Sequence, residues 1–169
     1  MAELKNEVTL PEQARLFLTA DCAELVVGLN DGSSNLQVLP TRGDWRDVLE
    51  SSGIGAVDKV LFVFLEPSIS CAAAIARGES AEDWAVEWLS AASQLLDLRM
   101  KNVSQRYLIG CDTLTHAEMS LNFFGPNADQ WRLNLADLLS PPPLALHLAI
   151  SYTSTRTDIE EMSRTLALC

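Results

Sequence analysis

The sequence predicts an α/β fold: a small, mainly parallel sheet flanked by helices, with a helical C-terminal third. Three observations carry this. Residues 59–65 read Lys-Val-Leu-Phe-Val-Phe-Leu, and after the lysine the run is continuously apolar and rich in β-formers. Such a run marks a central strand covered on both faces. Residues 105–111, Gln-Arg-Tyr-Leu-Ile-Gly-Cys, form a second strand-like run. Helical patterns lie between the two, and covered strands joined through helices make a parallel βαβ unit.

Each element follows in chain order. Thr9-Leu10-Pro11-Glu12 has capping-box spacing and predicts a short helix ending near Leu18. Residues 24–29 and 36–39 are apolar runs on either side of Asn30-Asp31-Gly32-Ser33, which predicts a β-hairpin. Asp44 can cap a helix that reaches about Ser51 and ends at Gly53. After the first strand, Glu66-Pro67 breaks the run, and residues 68–77 read as an alanine-rich helix stopped by Gly78. Ser80-Ala81-Glu82-Asp83 opens the clearest helix, whose stripe is Trp84, Ala85, Trp88, Leu89, Ala92, Leu95 and Leu96. Its end carries Arg99 and Lys101, where the helix dipole favours cations.

Past the second strand, Thr115-His116-Ala117-Glu118 is a capping box for a helix stopped by Gly125-Pro126. Residues 129–139 read as another helix, and Ser140-Pro141-Pro142-Pro143 is the sharpest punctuation in the chain. Residues 144–152 are apolar nearly all round and are assigned to a helix because they follow prolines and precede one. Thr157-Asp158-Ile159-Glu160 opens the last helix, with Ile159, Met162 and Leu166, together with Cys169, directed inward. The 29 residues from 141 to 169 are too few to make a core alone, so the expectation is one domain, 1–169, with 141–169 packed on it as a helical extension.

Composition narrows the function. The 169 residues are 48% hydrophobic, enough for a substantial core, and carry a net charge of −11. That acidic balance, without a Lys/Arg cluster, opposes nucleic acid and anionic membrane as partners. No apolar run approaches the ~20 residues of a membrane span, and the first residues carry Glu3, Lys5 and Glu7 rather than an apolar leader. Cys22, Cys71, Cys111 and Cys169 are widely spaced with no C-x-x-C, which fits reduced thiols in the cytoplasm.

Motifs for cofactor chemistry are missing. The eight glycines form neither a phosphate loop nor G-x-G-x-x-G, so no cofactor is expected. His116 and His147 lie on separate segments without ligand spacing, so no metal is expected. Asp112, at the end of a covered strand, occupies the usual position of α/β site residues. Two readings fit it: an acid/base pair with His116, or an acceptor for the start of the following helix. Trp84 and Trp88 also admit two readings, an aromatic platform of the kind that holds sugars or a piece of core.

From Lys59 onward the order of elements resembles the sulfotransferase-like α/β domains of bacterial surface-polysaccharide proteins. The likeness lies in the strand Val60-Leu61-Phe62-Val63-Phe64-Leu65, the following Glu66-Pro67 and helix, and the Gly78-Glu79-Ser80 break. It continues in the Trp88-bearing helix ending Leu95-Leu96-Asp97-Leu98-Arg99 and the strand Tyr107-Leu108-Ile109 with Asp112. The resemblance implies a sulfonucleotide held by a phosphate loop, a strand-end Arg before a Pro, and a helix Ser. Here Leu65 stands where that Arg would be, Ala73 near the Ser, and Glu66 would repel the anion. The resemblance therefore implies a degenerate member without its donor site.

The sequence thus leads to a non-catalytic protein-interaction or accessory module, which the resemblance would place in a cell-envelope glycan pathway. The alternative is a transferase using a sugar nucleotide or sulfonucleotide. A protein partner, including a second copy in a homodimer, is expected through Leu146, Ile150, Ile159, Met162 and Leu166, because the C-terminal third holds more apolar surface than a small sheet covers. The competing reading makes the same segment a buried core helix.

Overall fold

The computed structural model describes residues 14–29, 36–54, 58–112 and 127–169. Its centre is a parallel sheet of β1 (Ala14–Leu18), β2 (Leu36–Val38), β3 (Lys59–Phe64) and β4 (Arg106–Gly110), in the order β2-β1-β3-β4. Every ladder is parallel, with Leu16 opposite Leu36 and Leu61, and Phe62 opposite Leu108. The expected small α/β sheet is present and is parallel throughout.

Side chains alternate across this sheet, and both faces are covered. Phe17, Val60 and Phe62 point to one face, where they meet α1 (Trp45–Ser51), α2 (Pro67–Ala76) and α3 (Ala81–Lys101). The same face takes two C-terminal helices, α5 (Pro143–Thr153) against α2 and α6 (Thr157–Ala167) against α3. Leu16, Leu18, Leu61, Val63 and Ile109 point to the other face. There they meet a 3-10 helix, Ala20–Val26, and α4 (Ala128–Leu138), whose Trp131 is fully buried.

Local signals end the helices where expected. Asp44 accepts a bond from the Arg46 amide at 2.9 Å to cap α1, and Ser80 accepts one from the Asp83 amide to cap α3. Gly78 adopts φ +85°, the left-handed stop after α2. Pro143 opens α5, where its missing N–H is harmless. Arg156 precedes α6, so Thr157 is its first helical residue rather than its cap, and Cys169 is exposed rather than inward.

Two expectations near the N-terminus are overturned. Residues 14–18 form strand β1, not the end of a helix; the capping-box residues 9–12 lie outside the described residues. Leu16 and Leu18 are buried on one face and Phe17 on the other, so no polar alternation marks the strand, and ladders to β2 and β3 override local propensity. The hairpin is also absent: residues 20–26 are 3-10 helix, and β2 pairs parallel to β1. The Asp31-Gly32 turn that suggested it lies outside the described residues, as does the helix expected from Thr115.

Candidate functional site

Parallel strands put all their carboxyl ends on one edge of the sheet. From β1 the chain leads to β2 on one side, while from β3 it leads to β4 on the other. Between β1 and β3 the connections diverge, and in open α/β sheets a crevice forms at such a switch point. A cleft of about 360 Å³ lies there. Thr19 and Asp21 follow β1, Thr41 follows β2, and Phe64 ends β3. Trp45 of α1, Ser70 of α2 and Trp84, Glu87 and Trp88 of α3 complete the wall, and Arg77 and Glu79 of the α2–α3 turn stand at the rim with Glu24.

A chain of hydrogen bonds fixes the polar groups. The Trp84 indole Nε1–H donates to Ser70 Oγ at 2.9 Å, and the Ser70 hydroxyl donates to Asp21 Oδ2 at 2.6 Å. The Thr19 hydroxyl donates to the other oxygen of Asp21. The Thr19 amide donates to the Val63 carbonyl at 3.0 Å, which ties the carboxyl ends of β1 and β3 together. Ser70 is 1% exposed, so its two bonds also satisfy a group that would otherwise be buried without partners. Trp45 is held separately, its Nε1–H donating to the Pro40 carbonyl at 2.9 Å.

The rim is acidic. Among the described residues, Asp21, Glu24, Glu79 and Glu87 line the cleft with one guanidinium, Arg77, whose Nε lies 2.7 Å from Glu79 Oε1. The bond to Glu79 raises the Arg77 pKa, with Glu24 and Asp21 adding attraction, so this cation is already engaged. Behind the cleft, Cys22 and Cys111 meet across the end of β3 with sulfurs 3.3 Å apart. Burial, reinforced by the bond to Cys111, raises the Cys22 pKa and holds it as a thiol, a poor nucleophile. Cys71 is pushed up to about 11 by burial alone.

Trp84 and Trp88 both line the cleft and belong to the core, with their rings 6.0 Å apart. Asp112 lies past β4 and is not among the residues lining the cleft, and His116 is outside the described residues. Of the expected interface residues, Ile159 and Leu166 are buried, Leu146 and Met162 are partly buried against the core, and Ile150 is exposed. Sequence reasoning missed Thr19, Asp21, Ser70 and Arg77. The available signal was Thr19-Ala20-Asp21 directly after Leu16-Phe17-Leu18, which becomes a strand-end site once that segment is read as a strand.

Among the described residues, no group of three or more His, Cys, Asp or Glu could hold a metal ion, and no helix is long and apolar enough to cross a membrane. Fold and cleft together define a class: an open parallel α/β sheet with an aromatic-walled crevice at its switch point. Compared with known proteins, the chain matches no family model, no curated protein and no solved structure.

Proposed function

We propose that this chain is a non-catalytic binding module that holds a small organic molecule in the switch-point cleft and acts as an accessory component rather than an enzyme. The observation that carries this is the cleft itself, apolar and aromatic on its walls with a few fixed polar groups, the usual make-up of a ligand site. Asp21 is committed to the hydroxyls of Ser70 and Thr19, and Ser70 is 1% exposed and also accepts from Trp84, which supports a structural role for this network over a nucleophile–base pair. The transferase alternative is disfavoured at the positions the resemblance singles out. Leu65 is fully buried, and Glu66 stands at the N-terminus of α2, where an anion would need a donor. Four free cysteines support a reducing, cytoplasmic setting.

A thermal-shift panel of small amines, sugars and adenosine bisphosphate tests the reading. A ligand at about 100 times its dissociation constant adds ~2.7 kcal/mol, a rise of roughly 5–10 °C for a chain of this size. The rise is expected to shrink in Trp88→Phe. Stabilisation by the bisphosphate would restore the transferase, and no shift with any class would overturn the ligand reading.

A second reading, contact with a partner protein including another copy of this chain, is favoured by α5. Leu144 is 72% exposed, and Leu148 and Ile150 are about half exposed on the same helix. Light scattering over a dilution series decides it for self-association: a concentration-dependent mass that falls in Leu144→Glu supports the dimer, and a constant monomer mass removes it.

A further inference from the structure

We infer that the cleft takes an organic cation, an ammonium or quaternary ammonium group carried on a small apolar body. This rests on the reading of the cleft as a ligand site and names the chemistry of its occupant.

Donors and acceptors in the cleft are unevenly matched. Several of the cleft's side-chain donors are already committed within the protein. The Trp84 N–H serves Ser70, the hydroxyls of Ser70 and Thr19 serve Asp21, and the Arg77 Nε–H serves Glu79. The Thr41 hydroxyl and Trp88 N–H add neutral donors, and the terminal nitrogens of Arg77 add donors on a charge that Glu79 already offsets. Acceptors are in surplus. A carboxylate has about four lone-pair positions, and four carboxylates stand around this cleft. A ligand that satisfies them must bring donors or positive charge. Among the described residues the lining holds four carboxylates and one cation, Arg77, already paired with Glu79 at 2.7 Å, so the balance of charge opposes an anion.

The walls make the same choice independently. Trp84 and Trp88 line the cleft, with Trp45 and Phe64 beside them. Indole faces attract cations through the ring quadrupole, most strongly where water is excluded, and quaternary ammonium groups are recognised by such rings. Trp84 is held by its Nε1–H bond to Ser70, and Trp88 is 7% exposed, so both rings are positioned before a ligand arrives. Little ordering cost is left to binding. A volume of about 360 Å³ is at the small end for organic ligands, which favours a compact cationic head over a nucleotide.

The test titrates the full chain with choline and with its uncharged analogue, in which carbon replaces the nitrogen, following tryptophan fluorescence and calorimetric heat. Choline is expected to bind at least about tenfold more tightly than the analogue. Glu87→Gln, an exposed change that leaves the fold intact, and Asp21→Asn should each weaken choline several-fold without moving the analogue, and Trp88→Phe should weaken both. Equal affinity for choline and the analogue overturns the cation but leaves the cleft a ligand site. So does tight binding of a sugar or anion from the thermal panel when choline fails. Choline binding that survives Glu87→Gln, Asp21→Asn and Trp88→Phe unchanged places the cation elsewhere and overturns the inference. Silence from choline, analogue and panel together removes the ligand site as well.

Discussion

The two halves of the sheet are built differently. In the β3–β4 half, a six-residue strand with four buried positions is followed by two α-helices of 10 and 21 residues, the second capped by Ser80. In the β1–β2 half the strands have five and three residues, and a 3-10 helix stands where the other half has α2 and α3. Yet the short half supplies polar groups of the cleft, Thr19, Asp21, Glu24 and Thr41, while the long half supplies Phe64, Trp84 and Trp88 of its aromatic wall. Regular structure excludes water and holds large rings in place; irregular backbone at a strand end brings small polar groups close to one another. The cleft needs both, so it sits at the seam between β1 and β3.

If that division is right, truncation in the long half should cost most. Phe62→Ala, at a fully buried position of β3, is expected to destabilise by ~3–5 kcal/mol in denaturant unfolding. Leu25→Ala, equally buried but in the 3-10 segment, should fall at the low end of the ~2–5 kcal/mol range, because irregular surroundings can collapse into the void. Equal losses would erase the distinction. The seam is tested by Ser70→Ala, which strips Trp84 of its acceptor and Asp21 of a donor. A loss of ~1–3 kcal/mol is expected, with a shifted tryptophan emission that no surface serine change should reproduce. Ser80→Ala removes only a cap of α3 and should cost ~1 kcal/mol with the emission unmoved.

The same contrast explains what could be read from residues alone. β3 and β4 were legible because their runs are apolar and rich in β-formers, with Glu66-Pro67 breaking the first. The helices α2 and α3 were legible from Gly78 and from the Ser80 cap. β1 was not, because Leu16, Phe17 and Leu18 are buried on alternate faces and carry no polar period, and its identity is fixed by ladders to Leu36 and Leu61, which are distant in sequence. The cleft was half legible for the same reason. Trp84 and Trp88 stood out on a readable helix, whereas Asp21 becomes a site residue only when β1 is known to end at Leu18.

The smallest effect concerns pH and belongs to the ends of helices rather than the seam. The Arg46 amide and guanidinium lower the Asp44 pKa, and Arg156 with the Ile159 amide lowers that of Asp158. Each group therefore contributes stability above the ordinary aspartate value, and that contribution is lost as pH falls through the depressed folded value. Both side chains are well exposed, so the change is small. Thermal melts from neutral to strongly acidic pH should show Asp158→Asn converging on the parent protein at the acidic end. A gap that widens there would contradict the assignment.

The strand order also sets a timetable. Ala14 pairs with Lys59 and Leu18 with Val63, while β2 pairs only with β1. Until β3 is in place, β1 and β2 form a two-stranded parallel ribbon, too small to persist in water. The entropy of closing the long loop between β1 and β3 must be met before their contacts return anything, and such non-local pairing is slow to form. The cleft, whose Thr19 and Asp21 follow β1, is therefore complete only once β1 has paired with β3 across that gap in sequence.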